Sequence, residues 1–371
     1  MPAYNEAENI GSMIEELFSK EFPKIKNAQM HLLVVDDYSP DGTGETVKKY
    51  QSKYPNLHLL QKTKEGLGWA YIRGMQYAMD KLDADAVMEM DADFQHPPRF
   101  VKDMVAAYEN GADYVIGSRY IKGGSVPKEW ELSRKAVSYF GNLFIRLVLL
   151  RPKIHDLTTG FRLTQVKGVL DHIDLEHLME PTRFAYKVDL LYQSLKNAKN
   201  AIEIPLEFAS RTKEKSKFNP KEMVSTFRVA IILGIKDKQK FIKFGLVGFV
   251  GYLVNASTLY IFTKLNWPSW AAWGSSTELA IINNFVFNNV WTFKDQQISG
   301  GVSLLAKFLQ FNLTSSGGLL IQVAVGWITD VLLGPGYRQI VLPLTIGFIV
   351  MPYNYLMYTL VIWRKKAPSS K

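Results

Sequence analysis

The chain has 371 residues, more than one compact domain usually holds, and 44 Lys and Arg against 35 Asp and Glu give a formal net charge of +9. Residues 1–240 hold 35 basic and 32 acidic side chains, whereas residues 241–371 hold only 9 and 3; a soluble segment of that length would carry roughly 33 charged residues. The lack of cysteine excludes disulfides and thiolate metal sites. A nucleic-acid partner is excluded because the excess positive charge flanks apolar segments and forms no basic patch with interleaved aromatics.

The first 210 residues alternate between strand and helix patterns, which predicts an α/β domain with a mainly parallel sheet and helices on both faces. We expect strands at 31–35, 57–61, 86–90, 114–117 and 201–206. We expect helices at 6–19, 44–53, 67–81, 98–110, 131–150 and 184–195. No basic-then-apolar signal segment opens the chain, so this half is expected to stay where it is made.

Acidic turns follow two of these strands, with the sequences DDYSPDGT at 36–43 and DADFQHP at 91–97. Asp91 and Asp93 can converge on one hard cation, and Gln95 adds a neutral oxygen, so the predicted cofactor is Mg²⁺ or Mn²⁺ bound to a substrate diphosphate. Either turn alone is more often a plain turn, the first one capping a helix through Asp41 or Thr43. The presence of both turns at strand ends, where such sheets bind ligands, favours the metal site.

Basic residues also follow the strands of this domain. Arg119 ends the strand at 114–117, Arg134 opens a helix, and Arg211 and Lys217 follow the last strand. Any one of them is typical of a solvated surface charge. As a set at strand ends they are able to hold anionic oxygens, Arg through its planar fork and Lys as a point charge.

The last third contains four long apolar runs, at 244–263, 271–293, 308–329 and 339–363. Each is long enough to cross a bilayer, and the single carboxylate among them, Glu278, is expected to face other helices. Lys and Arg flanks predict a multi-pass cell-membrane protein with both termini and the N-terminal domain in the cytoplasm. For the many intramembrane amides, interhelical hydrogen bonding is favoured over a transport or headgroup role. Residues 219–240 read either as an amphipathic connector on the headgroups or as a linker helix packed on the first domain.

These motifs resemble the family-2 glycosyltransferases of GT-A type, and most closely the dolichyl-phosphate mannose synthases. The matching segments are PAYNE at 2–6, DDYSPDGT at 36–43, DADFQHPP at 91–98, GSRY at 117–120, DLTTGFR at 156–162 and the stretch 211–217. In the last third, Asn284-Phe285 followed by Trp291-Thr292-Phe293 is similar to the GtrA-like four-helix membrane domain. The resemblance implies a GT-A domain at 1–218, a connector at 219–240 and a membrane domain at 241–366.

The resemblance also implies an activity: transfer of mannose from GDP-mannose to a dolichyl or other polyprenyl phosphate, with inversion, to supply lipid-linked donors for glycosylation. Its partners would be the two substrates and the lipid bilayer. By motif, the metal would be held by Asp93 and Gln95 with Asp91, and catalysis would fall to Asp93, Arg119, Arg134 and Arg211. The sugar nucleotide would be bound by Pro2, Tyr4, Glu6, Val35, Asp37, Asp91, Ala92, Asp93, Arg119, Arg211 and Lys217.

Two alternatives stay open, and one feature departs from the family. The donor can be UDP-glucose or another UDP-sugar, or the protein can be a lipid-linked sugar flippase whose soluble half is regulatory. A processive polysaccharide synthase is disfavoured because no QxxRW-type motif is present. The family has an apolar strand before this Pro-x-Tyr-Asn-Glu motif, whereas Met1 directly precedes Pro2. We therefore expect either an earlier start or a domain without that core strand.

Overall fold

The computed structural model describes residues 1–210 and 220–364. The chain divides into two compact units, Met1–Gly234 and Ile235–Lys371. The division falls inside the predicted connector, because most of the helix at 220–237 belongs to the first unit.

The described part of the first unit has seven strands. They are β1 (Pro2–Ala3), β2 (Leu32–Asp36), β3 (Leu57–Gln61), β4 (Ala86–Glu89), β5 (Tyr114–Ser118), β6 (Arg162–Gln165) and β7 (Ala201–Pro205). Parallel pairing joins β1, β2 and β3 in that order. A second sheet has the order β4-β6-β5-β7, in which β6 is antiparallel to both neighbours and β7 is parallel to β5. The five predicted strands are confirmed, and β1 and β6 are additions.

Seven α-helices accompany these strands in the described residues, besides shorter 3-10 and π-helical segments. They are α1 (Ala7–Glu16), α2 (Thr43–Gln51), α3 (Leu67–Leu82), α4 (Val101–Glu109), α5 (Leu132–Val148), α6 (Tyr186–Asn197) and α7 (Pro220–Asp237). Side chains alternate between the faces of β2, as a strand requires. Leu32 and Val34 share a buried cluster with Ile10 of α1, whereas Leu33 and Val35 pack with Ala70 of α3. The predicted α/β class with helices on both faces is therefore confirmed.

A cavity of about 450 Å³ lies between the two sheets. Its lining includes Met1, Leu33 and Val35 on one side and Val87 and Met88 of β4 on the other. The backbone of Met1 pairs with β2, because its amino group donates to the Leu33 carbonyl at 3.0 Å and its carbonyl accepts from the Val35 N–H at 2.9 Å. The two-residue β1 thus reaches only the carboxyl end of β2, and in the described residues no strand bridges β2 and β4.

The second unit is helical in the part that the structure describes. It contains α8 (Gln239–Lys264), α9 (Ser269–Phe287), α10 (Gly301–Leu332), α11 (Arg338–Thr345) and α12 (Met351–Met357), with π-helical turns at Asn288–Thr292, Ile346–Val350 and Tyr358–Ile362. Three segments are long and apolar enough to cross a membrane: Gln239–Lys264, Gly301–Leu332 and Gln339–Ile362. The second predicted span coincides with α9, which is shorter and more polar and is not among them.

Polar side chains of the second unit act in packing. The Asn289 carboxamide oxygen accepts from the Trp363 indole N–H at 3.0 Å and from the Ile298 N–H at 2.8 Å, which joins segments distant in sequence. This confirms for Asn289 the predicted hydrogen-bonding role of the amides. The expectation for Glu278 is wrong, because its side chain is exposed in this unit. The cause is that small residues of α9, among them Ser276 and Ala280, occupy the packed face.

Candidate active site

The carboxyl ends of β1, β2 and β4 each lead into a turn that contains a left-handed residue. These residues are Asn5 with φ 60°, Tyr38 with φ 50° and Phe94 with φ 61°. Asn tolerates this conformation, but aromatic residues adopt it rarely, and such backbone strain tends to gather at functional sites. The left-handed residues therefore mark these three turns as the candidate active site.

The turns after β1 and β2 are tied together. Three backbone N–H groups after β1 donate to side chains of the second turn: Asn5 to Ser39 at 3.1 Å, Glu6 to Thr43 at 2.9 Å and Ala7 to Asp41 at 2.9 Å. The predicted contact residue Glu6 and the turn with Asp37 thus form one loop assembly. This assembly is a suitable wall for a nucleotide.

Within that assembly, the predicted nucleotide contacts have different surroundings. Burial raises the pKa of Asp37, against the lowering effect of Lys64. The ammonium of Lys64 also lies 3.3 Å from the ring centre of Tyr4, which is partly exposed. Val35 is buried in the core and paired with Pro2, so its side chain is not available to a ligand, and any contact would use its backbone.

The turn after β4 contains Asp91, Asp93 and Gln95, the three predicted metal ligands. Asp93 is 6% exposed, and its Oδ1 accepts from the Gln95 backbone N–H at 3.1 Å. The Gln95 side-chain amide donates to the Ala209 carbonyl at 3.5 Å. Ala92 is buried in the core and therefore offers a ligand its backbone at most.

The buried side chain of His96 supports the backbone of this turn at Asp91. Its Nδ1 accepts the Asp91 backbone N–H at 3.1 Å, and the ring is 1% exposed. Burial lowers the pKa of His96 to about 4, with the Asp91 charge opposing the shift. The imidazole is thus neutral near pH 7 and acts as a structural acceptor.

The oxygen-rich set Asp91, Asp93 and Gln95 fits a hard divalent cation. Carboxylate and amide oxygens suit Mg²⁺ and Mn²⁺, which keep several waters and bind substrate phosphates. Among the described residues, no group of three or more His, Cys, Asp and Glu side chains could hold a metal ion. A cation here would therefore depend on few protein ligands and on a bound diphosphate.

Arg119 follows β5 and is held by a buried carboxylate. Its Nε donates to Asp156 Oδ2 at 2.7 Å, and its Nη2 donates to Asp156 Oδ1 at 2.8 Å and to the Thr158 hydroxyl at 2.7 Å. Burial opposes the charge of both partners, but their attraction outweighs it: the pKa of Asp156 is lowered and that of Arg119 is raised. Arg119 is thereby a fixed cation whose Nη1 makes none of these bonds.

Phe208, just past β7, connects the basic residues to the acidic turn. Its ring centre lies 5.5 Å from that of His96, 5.4 Å from the Arg119 guanidinium and 6.0 Å from the ring centre of Trp130. The Arg134 guanidinium in turn stacks at 3.8 Å over Trp130. Arg119 is therefore linked through Phe208 to His96 of the turn that holds Asp93, whereas Arg134 joins this aromatic cluster through Trp130. The predicted contacts Arg211 and Lys217 lie outside the described residues.

Four supporting side chains were not predicted from the sequence: Tyr71, His96, Asp156 and Lys187. Tyr71 donates its O–H to Asp91 Oδ1 at 2.5 Å, and the ammonium of Lys187 lies 3.7 Å from the same oxygen. Asp156 had a signal, because it opens the DLTTGFR segment. Tyr71 and Lys187 lie inside helices that carry no motif, so only the fold places them at the site.

Comparisons with known proteins agree with this layout. Residues 1–171 match the model of glycosyl transferase family 2, and residues 243–363 match the GtrA/DPMS transmembrane domain. A dolichol-phosphate mannosyltransferase of Pyrococcus furiosus is 35% identical over 88% of this chain and 89% of its own length. A polyprenol monophosphomannose synthase of Mycolicibacterium smegmatis is 34% identical over 57% of this chain and 76% of its own. An undecaprenyl-phosphate mannosyltransferase of Micrococcus luteus is 34% identical over 59% and 86%.

Among solved structures, glucosyl-3-phosphoglycerate synthase from Mycobacterium tuberculosis, in complex with Mn²⁺, UDP and glucosyl-3-phosphoglycerate, is similar at 17% identity. The match covers 63% of this chain and 77% of that one, with a TM-score of 0.41.

Proposed function

The chain belongs to glycosyltransferase family 2, with the dolichol-phosphate mannosyltransferases that carry a GtrA-type membrane domain, and we propose that it transfers mannose from GDP-mannose to a dolichyl or other polyprenyl phosphate. The observation that carries the proposal is the turn with Asp91, Asp93 and Gln95, together with Arg119, which lies against Phe208, and Arg134, which stacks on the neighbouring Trp130. This arrangement suits a sugar nucleotide whose diphosphate leaves as an anion.

In this proposal Asp93 and Gln95, with Asp91, hold Mg²⁺ or Mn²⁺. The metal supplies charge neutralisation for the departing diphosphate. Arg119 adds a second positive charge, and it is fixed in place by Asp156 before any substrate arrives. Tyr4, Glu6 and Asp37 line the nucleotide side, whereas Arg134, Arg211 and Lys217 meet phosphates of the donor or the acceptor.

The acceptor phosphate is ionised near neutral pH and is itself the nucleophile, so the chain need not supply a general base. The neutral, hydrogen-bonded imidazole of His96 is consistent with such a site, because it is engaged by a backbone N–H. Direct in-line attack of the phosphate on the anomeric carbon inverts its configuration. From an α-linked donor the product is the β-mannosyl phosphate.

A lipid acceptor requires contact with the bilayer, and α5 offers an apolar surface for it. Phe140 is 62% exposed and Leu147 is 63% exposed, and Tyr139 and Leu143 lie on the same exposed side. Monomeric soluble proteins rarely expose such contiguous apolar stripes. The helix thus supports the membrane-facing half of the proposal.

The helix α7 extends this apolar surface. Val229, Ala230 and Leu233 pack in the core with α5, while Ile231 and Ile235 are exposed. The helix α7 thus packs on the catalytic unit, and its exposed isoleucines leave an apolar face for the predicted contact with the headgroups. The Lys and Arg flanks of the spans support a cell-membrane protein whose catalytic unit and termini are cytoplasmic.

The test is a matrix of donors and acceptors with the purified full chain in lipid nanodiscs. Radiolabelled GDP-mannose and UDP-glucose are each offered with dolichyl phosphate, with undecaprenyl phosphate or with no acceptor, in Mg²⁺, Mn²⁺ or EDTA. We expect a mannolipid only from GDP-mannose with a polyprenyl phosphate and a divalent cation, and NMR of the product should show a β-linkage.

Other outcomes would point elsewhere. Glucolipid from UDP-glucose in place of mannolipid would reassign the donor, and an α-linked product would contradict inversion. Full activity in EDTA would remove the metal from the mechanism. Failure with every donor, together with movement of lipid-linked sugar across the bilayer of a vesicle, would favour the flippase alternative.

A further inference from the structure

A lysine is buried in the catalytic unit without a hydrogen bond. Lys187, in the first turn of α6, is 0% exposed, and among the described residues its Nζ has no hydrogen-bond partner. A buried ammonium costs several kcal/mol unless nearby groups compensate for its charge. The groups around the Nζ of Lys187 should therefore show what compensates for its burial.

These groups point to the acidic turn after β4. The Nζ lies 3.7 Å from Asp91 Oδ1, 4.8 Å from the Tyr71 ring centre and 5.0 Å from the Phe184 ring centre. The faces of the two aromatic rings attract the ammonium. The ammonium therefore lies between two aromatic rings and one carboxylate, that of Asp91. A Cβ at Gly160 would collide with Nζ, so this glycine makes room for the ammonium.

The main chain of Lys187 is fixed as well. The buried guanidinium of Arg162, on β6, donates from Nη1 to the Lys187 carbonyl at 2.6 Å. In register with Arg162, Glu89 ends the strand that leads directly to Asp91. The lysine is therefore anchored to the same two strands that set the position of the turn.

Asp91 Oδ1 faces one neutral donor and one cation from the core. The Tyr71 hydroxyl donates to it at 2.5 Å, and the Lys187 ammonium approaches it at 3.7 Å. The longer separation exceeds a hydrogen bond but leaves a Coulomb attraction, because the ammonium is fully buried although the Asp91 side chain is 31% exposed. Both groups come from helices, α3 and α6, which are more rigid supports than the turn itself.

We propose that Lys187 is a positioning residue for the sugar-nucleotide site: together with the Tyr71 hydroxyl, its ammonium fixes the orientation of the Asp91 carboxylate toward the donor. The inference rests on the proposed function in one respect, namely that Asp91 contacts the sugar nucleotide. A purely structural lysine would fill the same volume without acting through Asp91. The two roles therefore differ in how Lys187 and Asp91 couple.

The experiment is a double-mutant cycle on the full chain, with GDP-mannose and dolichyl phosphate as substrates. The variants are Lys187→Met, Asp91→Asn and the double variant, with Lys196→Met, an exposed lysine of the same helix, as the matched control. We expect Lys187→Met to lower kcat/KM for GDP-mannose roughly 100-fold, the size of loss that a displaced substrate contact causes. The KM for dolichyl phosphate should stay within about twofold, and Lys196→Met should match the wild type.

The coupling between Lys187 and Asp91 distinguishes a positioning role for the lysine from a purely structural one. If Lys187 acts through Asp91, the double variant should be no slower than Asp91→Asn alone. Additive losses, or a folded Lys187→Met protein with kcat/KM within about threefold of the wild type, would overturn the proposal.

A second double-mutant cycle, with Tyr71→Phe in place of Lys187→Met, tests the proposal even if the Lys187→Met protein does not fold. Tyr71→Phe removes only the hydroxyl to Oδ1, and its loss should likewise vanish in the Asp91→Asn background; additive losses there would overturn the proposal. A wild-type chain that is inactive with every donor would instead refute the proposed function. An active wild type with additive cycles would refute Lys187 alone.

Discussion

The acidic turns after β2 and β4 look alike in sequence but use their carboxylates differently. In the turn after β2, Asp36 accepts from the Ser39 N–H at 3.0 Å and from Gln61 at 3.0 Å, and Asp41 accepts from Thr43 and from the Ala7 N–H. These partners are largely backbone groups of the same loop assembly. The carboxylates there act as internal braces.

In the turn after β4, the partners of the Asp91 carboxylate come from elsewhere in the fold, while Asp93 accepts the Gln95 N–H of its own turn. Asp91 faces the hydroxyl of Tyr71 and the ammonium of Lys187, and its backbone rests on His96. Core side chains thus position the carboxylate, whereas braces within the loop would only hold the loop's own shape. We therefore expect the first turn to form a wall of the nucleotide site and the second turn to carry the chemistry.

The largest expected effect is at Asp93. Asp93→Ala should lower mannose transfer by about 1,000-fold or more, because it removes the proposed principal ligand of a metal that would offset the diphosphate charge. The melting temperature should change little, since Asp93 accepts one backbone bond within its own turn. Initial rates at saturating GDP-mannose measure the loss, and Asp80→Asn, on the exposed side of α3, is the control.

Turnover of Asp93→Ala near the wild-type rate would contradict the distinction between the turns after β2 and β4. The chemistry would then not depend on the second turn, and the metal assignment would be wrong. A loss of folding in place of activity would show that Asp93 is a brace like Asp41.

Sequence patterns predicted the local features of this site and missed the distant ones. The strand at 57–61 follows from short-range spacing and is found, and Asp91 and Asp93 lie just after β4, as the same kind of spacing predicts. The strand β6 was missed because its four residues, RLTQ, contain one apolar side chain and no alternation. Lys187 was missed for a related reason, since a lysine within a helix normally faces water, and only tertiary packing buries it.

The pairing of Arg119 with Asp156 shows the same limit. Both lie in segments that the sequence singled out, but 37 residues separate them, and no spacing rule links them. The split sheet and its cavity also depend on strand pairing over long distances, which periodicity along the chain does not specify. What the sequence predicts is the chemistry at each strand end; what the fold adds is the set of groups that hold it.

The second expected effect is a dependence of stability on pH that arises from His96. Burial lowers its pKa to about 4 in the folded protein, whereas an unfolded histidine titrates near 6.5. The unfolded state therefore binds the extra proton between these values, so stability is full above about pH 6.5 and falls as the pH drops toward 4. By pH 4.5 the loss should be about 2–3 kcal/mol, or roughly 5–10 °C in melting temperature.

His96→Asn isolates this effect, because an asparagine amide can accept the Asp91 N–H but does not titrate. Tryptophan fluorescence during heating, from pH 7.5 to 4.5, should show a flatter decline for His96→Asn than for the wild type. If the melting temperatures of the two proteins fell equally with pH, His96 would not be a buried, neutral imidazole. His96 would then no longer count among the buried side chains that support the second turn.

The smallest expected effect is at Asp41, in the first turn. Asp41→Ala removes hydrogen bonds from the Ala7 N–H and from the Thr43 N–H and hydroxyl. Because Asp41 is exposed, the loss should be about 1–2 kcal/mol, visible as a small drop in melting temperature, while kcat stays within about threefold. Thr43→Val removes the hydroxyl that joins Asp41 to the Glu6 N–H, so the two changes should be non-additive, as expected of one brace. If Asp41→Ala instead lowered kcat 100-fold at an unchanged melting temperature, Asp41 would belong to the chemistry. The two turns would then share one function, and the distinction between wall and reaction centre would fail.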